Sequence, residues 1–306
     1  MDRARKQIDK RLKAMERRLS RIYTKASKDI AKEWESYLKA QGELISALQD
    51  DYWTYKNAGY TKEAKVIGKQ LGIEKANRTL RNKHFQDITE STAERLANVN
   101  RIAVDYINDK IPEMYTFGYN AIGDSLIKGI SFNMLDEHTL RYLIAGNPKL
   151  LPHKSLKRKK DIAWNKKQMN SAVLQGIIQG ESMDKIAKRL YPIIGNNEKA
   201  AIRNARTMVT SAENKGRQDS YQALEDDGVI MTKVWMATND GRTREWHAEM
   251  DGQEVGINEP FVDGEGNELM YPGDPDAPPE TVYNCRCTTT VNIKGFIGSD
   301  GRVNYV

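Results

Sequence analysis

Three side chains in the last quarter of the chain carry ligand chemistry: His247, Cys285 and Cys287. The cysteines stand at i and i+2, which on a strand turns both thiols to one face. A disulfide across that spacing is strained. Two thiolates and an imidazole make three of the four ligands of a tetrahedral zinc site, and Asp240 or Asp251 is a candidate oxygen ligand for the fourth. A small Gly/Pro-rich module buries little apolar area, so a zinc staple would stabilise it. A plainer reading leaves the cysteines as small buried hydrophobes, His247 as a backbone hydrogen-bonding group, and Asp240 bonded to its own turn. A third reading centres a nuclease on His247, with Glu245, Glu249 or Asp240 as its acid–base partner and Arg242 or Arg244 as the phosphate cation. Against it, residues 235–284 hold twelve Asp or Glu and two Arg, a net of −10 that repels nucleic acid. Nothing activates a Cys285–His247 protease pair, and no GxSxG, P-loop or HExxH pattern occurs.

The elements that must position these groups read as an α+β fold. Val229–Ala237 is β-branched or apolar and predicts a strand. Asp240-Gly241 predicts a turn, and Thr243 a cap for the short helix carrying His247. Further short strands are expected near 253–257, 269–271 and 287–293. Upstream the pattern is helical. Ile8, Leu12, Met15, Leu19, Ile22 and Ala26 alternate steps of four and three, the seam of a coiled coil. Ile30 and Trp34 follow at steps of four, a stutter, before Tyr37, Gln41, Leu44 and Leu48 resume the alternation. Asn57–Gly59 ends this helix, and 61–110 is again helical. Pro112 is expected to break that pattern or open the next helix. Shorter helices are expected over 114–130 and 136–144, with a turn at Asn147-Pro148. A basic helix and a second unit over 175–190 follow, with Ser182 as an N-cap, then a helix over 197–224. The expected divisions are a coiled-coil-like region over 1–150, a helical domain over 151–228 and a small acidic module over 229–306.

The net charge of +6 conceals a division. With −10 in residues 235–284, the rest of the chain carries +16. Residues 1–30 hold eleven Lys or Arg against four acids, and residues 149–167 hold eight against one. Such blocks meet a polyanion or an acidic partner. The residues expected to contact DNA phosphates are Lys157, Arg158, Lys159 and Lys160, then Arg17, Arg18 and Arg21. Contact of this kind works by counterion release, without sequence readout. No run of about 18 apolar residues is present, so no membrane span is expected. Two cysteines one residue apart point to a reducing cytoplasm rather than a secreted scaffold.

The order of motifs carries a resemblance. Ile202-Arg203-Asn204-Ala205-Arg206-Thr207, Ser211-Ala212 and Asn214-Lys215-Gly216 come first. Trp235-x-Ala237-Thr238-x-Asp240-x-Arg242-Thr243-Arg244-x-x-His247 and Met250-Asp251-Gly252 follow, and Asn284-Cys285-Arg286-Cys287 closes the set. Together they resemble the Mu F-like phage head morphogenesis family over residues 175–293. That family often has His-Pro before the Asn, where this chain has Val282-Tyr283. The resemblance implies a minor head protein inside the virion capsid, made in the host cytoplasm. It would be associated with the portal protein, with capsid or scaffolding protein and with packaged DNA, and would act by binding rather than catalysis. Some members carry an ADP-ribosyltransferase or toxin module after the shared domain. With Val306 soon after Cys287, none is expected here. The alternatives are the nuclease above and an assembly adaptor that never touches DNA.

Overall fold

The computed structural model describes residues 3–77, 83–121, 158–179, 181, 183–298 and 300–305. Lys157, Ser182, the Asn147-Pro148 turn and the helix expected over 136–144 lie outside them. The described residues fall into two compact units, one within 1–18, 104–153 and 200–306, the other within 19–103 and 154–199.

The expected first helix is a single element, α1, Arg3–Asn57. Its apolar stripe buries Ile8, Met15, Leu19, Ala26, Ile30 and Trp34 of the expected seam, while Leu12 and Ile22 are half-buried and Tyr23 is buried beside them. Past the stutter the stripe differs from the expectation. Leu38 and Ile45 are buried, while Leu44 is 42% exposed. Repeated steps of four carry the stripe round the helix, so the seam does not return to its earlier alternation.

The described elements of the second unit are all helices. It holds the rest of α1, α2 (Thr61–Asn77), the first part of α3 (Lys83–Tyr119), α4 (Arg158–Ile178), α5 (Met183–Lys188) and the start of α6 (Tyr191–Asp226). Its apolar interior includes Leu19, Ile30, Leu96, Met169, Val173 and Ile193. Polar pairs fix the helix register within it. The Tyr23 hydroxyl donates to Asn100 Oδ1 at 2.7 Å, and Trp34 Nε1 to Thr92 Oγ1 at 3.0 Å. Asn100 Nδ2 donates in turn to Asn197 Oδ1 at 2.8 Å. Tyr23, Trp34, Thr92 and Asn100 are buried, so each bond avoids an unsatisfied polar atom.

Pro112 does not break the chain as expected; it lies inside α3. Proline there removes one ladder bond, yet Ile111, Met114 and Tyr115 beside it are fully buried, and tertiary packing holds the helix.

In the first unit, α3 and α6 cross at two glycines. A Cβ on Gly118 would lie 1.9 Å from the Glu213 carbonyl oxygen, and one on Gly216 would lie 2.2 Å from that of Tyr115. Only glycine permits so close an approach. After α6, β1 (Val229–Met236) begins a four-stranded antiparallel sheet of order β2-β1-β5-β6, with β2 Glu254–Gly256, β5 Thr288–Ile297 and β6 Val303–Tyr305. A two-stranded ladder joins β3 (Phe261–Val262) to β4 (Glu268–Leu269). Met231, Lys233 and Trp235 alternate inward along β1. Met231 meets Tyr221 of α6 and Ile257 in one buried cluster, with Val291 and Ile293 of β5 packed against it. No described helix is long and apolar enough to cross a membrane.

Candidate functional site

The two cysteines lie just before β5, not on it as the strand reading supposed. They follow a short helix, α8 (Pro279–Val282), and Asn284, whose φ of 57° lies in the left-handed region that Asn tolerates. This turn reverses the chain and feeds Cys285-Arg286-Cys287 into the core. Three successive carbonyls are then held by side chains. Thr210 Oγ1 donates to the Cys285 carbonyl at 2.8 Å, Arg5 Nη2 to that of Arg286 at 2.9 Å, and Asn214 Nδ2 to that of Cys287 at 3.2 Å. Thr238 Oγ1 also donates to the Arg286 carbonyl at 2.5 Å, and the Asn284 N–H to Thr207 Oγ1 at 3.1 Å. Thr207, Thr210 and Asn214 of α6 thus hold the cysteine segment together with Arg5 of α1 and Thr238.

His247 arrives from another direction, on α7 (Glu245–Glu249). Thr243 is not its side-chain cap. The Thr243 hydroxyl instead donates to the Thr238 carbonyl, closing the turn before the helix. The imidazole is 1% exposed and lies edge-on to Trp235, ring centroids 5.6 Å apart. Its Nδ1 stands 3.7 Å from both Cys285 Sγ and Cys287 Sγ. The thiols share a buried cluster with Trp235, Met250, Phe261 and Leu269. Both are free.

Proton sharing polarises the pair. Cys287 is drawn well below the usual thiol range, first by the hydrogen bond from Cys285, against burial, and then by bonds from His247 and from the Thr238 backbone. Cys285 is pushed well up, first by that same shared proton and then by burial. Two thiols and an imidazole gathered at one buried point form a donor set of the kind that zinc takes.

Candidate ligand atoms of His247, Cys285 and Cys287 lie within 4.8 Å of one another. With Zn–S near 2.3 Å and Zn–N near 2.0–2.1 Å, the N···S edge of a tetrahedral site is about 3.6 Å. The observed 3.7 Å spans fit that edge. Neither aspartate joins the cluster. Asp240 accepts both Nη groups of Arg286, at 2.5 and 2.6 Å, and the Arg242 N–H at 2.9 Å. The Arg286 bonds, followed by the backbone bond, hold its carboxyl well below the usual range. Asp251 accepts the Ala237 N–H at 2.8 Å and Asn239 Nδ2 at 2.9 Å. The described residues thus offer three protein ligands and no fourth.

None of the expected phosphate contacts is a ligand of this cluster. Arg17, Arg18 and Arg21 are exposed on α1, and Lys159 and Lys160 are exposed in the first turn of α4. Arg158 opens that helix.

Residue-type reasoning missed three buried charged groups that matter here, the pair Arg5–Glu213 and Lys233. Arg5 Nη1 donates to Glu213 Oε2 at 2.5 Å, with the Glu213 side chain fully buried. Lys233 Nζ donates to the Met270 carbonyl at 2.8 Å and to Gln218 Oε1 at 3.3 Å, and lies 5.2 Å from the Phe261 ring centroid. The alternation along β1 was the available signal for Lys233, since it falls on the inward parity.

Residues 167–290 match the family model described as Phage Mu protein F like protein. The chain is 26% identical to minor head protein GP7 of Bacillus phage SPP1 over 290 residues, covering 93% of this chain and 88% of that protein. It is 31% identical over 148 residues to the NAD(+)–arginine ADP-ribosyltransferase EFV of Enterococcus faecalis. That match covers 48% of this chain but only 29% of the transferase. No solved structure matches. The motifs that carry the resemblance therefore fall within the stretch that matches the family model, in a chain that is similar to a phage minor head protein over nearly its whole length.

Proposed function

We propose that the chain is a minor head protein of a phage, acting in head morphogenesis by binding rather than by catalysis. The observation that carries this reading is the similarity to GP7 across 93% of the chain, which reaches far beyond the matched family segment. In this reading the protein resides in the virion, inside the capsid, and is made in the host cytoplasm. It docks on the portal protein and on capsid or scaffolding protein, and takes part in DNA packaging or delivery. Co-expression with portal, scaffolding and major capsid proteins tests it. The chain is expected to sediment with procapsids, and its consistent exclusion from them overturns the proposal.

Two finer roles accompany it. Arg17, Arg18, Arg21, Lys159 and Lys160, exposed on helices, touch DNA phosphates without reading sequence, together with Lys157 and Arg158. Titrating salt against binding of a DNA fragment checks this. Affinity falls steeply with salt, and a flat dependence leaves the adaptor reading, in which DNA is never touched. His247, Cys285 and Cys287 hold a zinc ion that staples the small module, none of whose described strands is longer than ten residues. Stoichiometric zinc in the purified protein, lost in Cys285→Ser and Cys287→Ser, is the expected result. A nuclease centred on His247 is disfavoured because the imidazole is buried and its Nδ1 faces two thiols, out of reach of a solvent-borne phosphate.

A further inference from the structure

The negative average of the C-terminal module hides a cleft of the opposite sign. Arg5, Lys13, Arg206, Arg242, Arg244 and Arg286 line one open cleft of about 650 Å3. The acids on its walls are Asp9 and Glu16. Every lining residue belongs to the same compact unit. Of the module's twelve acids between residues 235 and 284, none lines it.

The cleft's guanidinium groups are held in place. Arg206 Nε donates to Glu16 at 2.6 Å, Arg286 grips Asp240 with both Nη groups, and Arg5 is anchored on Glu213. Arg244 donates to the Tyr283 carbonyl. A guanidinium has five N–H donors, and the anchors of Arg206, Arg244 and Arg286 use only some of them. Such fixed forks match the oxygens of a phosphate. Counting Asp240 and Glu213 with the wall acids, six cations meet four carboxylates, a net of +2. A terminal phosphate carries about −1.5 to −2 near neutrality. The volume lies in the range of small-ligand sites, ~300–1,000 Å3.

We propose that this cleft binds a phosphate group, carried either by a nucleotide or by a nucleic-acid strand, with Lys13 and Arg242 as the exposed cations that complete its charge. The Lys13 side chain is exposed, and that of Arg242 is 75% exposed with a 3.6 Å contact to Asp240. Replacing either therefore leaves the packing intact. Among the described residues, Arg17, Arg18, Arg21, Lys159 and Lys160 do not line it.

Calorimetric titration of the full-length chain with inorganic pyrophosphate tests the proposal. Parallel titrations use a nucleoside triphosphate, a short 5′-phosphorylated single strand and a polyglutamate peptide. Saturable pyrophosphate binding is expected, weakened at least about tenfold in the double variant Lys13→Ala, Arg242→Ala, as befits the loss of charge-assisted bonds. It is expected to be unchanged in Lys159→Ala, Lys160→Ala, a variant that instead probes the DNA-contact reading. Tighter binding of the strand than of the triphosphate assigns the phosphate to nucleic acid, and the reverse order assigns it to a nucleotide. No saturable pyrophosphate binding, equal affinity in the Lys13 and Arg242 double variant, or tighter binding of polyglutamate overturns the proposal.

Discussion

Arg5 ties the first turns of α1 to the cysteine segment through one planar group, which bonds Glu213 and the Arg286 carbonyl at once. Removing one partner of a buried pair leaves the other charge without its counterion, at a cost of about 3–5 kcal/mol. Arg217 also reaches Glu213, at 3.4 Å, so the loss here falls toward the lower end. Arg5→Ala is therefore expected to destabilise the protein by about 3 kcal/mol in urea unfolding, and a loss under about 1 kcal/mol contradicts the role assigned to this pair. Lys233 supports a prediction in pH. Burial, outweighing the nearby Asp274 and Glu259, lowers its pKa from 10.5 to about 8. Below pH 8 both folded and unfolded chains carry the proton, and the full cost of burying the charge is present. Between pH 8 and 10.5 the unfolded chain holds more proton, so stability gains from this group as pH rises through that window. Lys233→Met removes that contribution. The difference in Tm between wild type and variant is expected to shift toward wild type from pH 8 to 10, and a difference independent of pH rules the linkage out.

Among the elements, the crossing of α3 and α6 is the most demanding contact. Gly118 and Gly216 face backbone atoms rather than flexible side chains, so an added methyl group forces the helices apart. Gly216→Ala is expected to cost about 1–3 kcal/mol or more, measured by denaturant midpoint at unchanged slope. Because α6 also supplies Thr207, Thr210 and Asn214 to the cysteine segment, its displacement moves the thiols. With zinc in the cluster, Asn214→Leu is expected to weaken its retention by about 10–100-fold in competition with a chelator, and undiminished retention removes Asn214 from that supporting role. The type of each long element was legible in the residues, since apolar spacing reports a helix directly. α1 ends at Asn57 and β1 begins at Val229, as their boundary residues indicate. The buried stripe beyond Trp34 and the passage of α3 through Pro112 were not legible, because each depends on what the neighbouring helices present. The short strands β3 and β6 carry too few residues for alternation to register.

At the scale of the whole molecule, charge illustrates best how chain order and space diverge. Summing along residues 235–284 yields a negative module, and that sum argued against any anion near His247. Folding gathers arginines from both ends of the chain onto one cleft and leaves that module's acids off its walls. What the residues by themselves determined is the helical type of the long elements, the strand after Gly228, the order of motifs, and the pairing of His247 with two cysteines as the ligand-bearing group. Each of these rests on chemistry local in sequence: periodicity, turn residues and side-chain type. Only the tertiary structure decided that Asp240 serves Arg286 rather than the thiols, that α6 side chains hold the cysteine carbonyls, and that Arg5 and Arg286 meet across 281 residues. Those outcomes depend on distance through space, which falls off within a few ångströms and leaves no periodic trace along the chain.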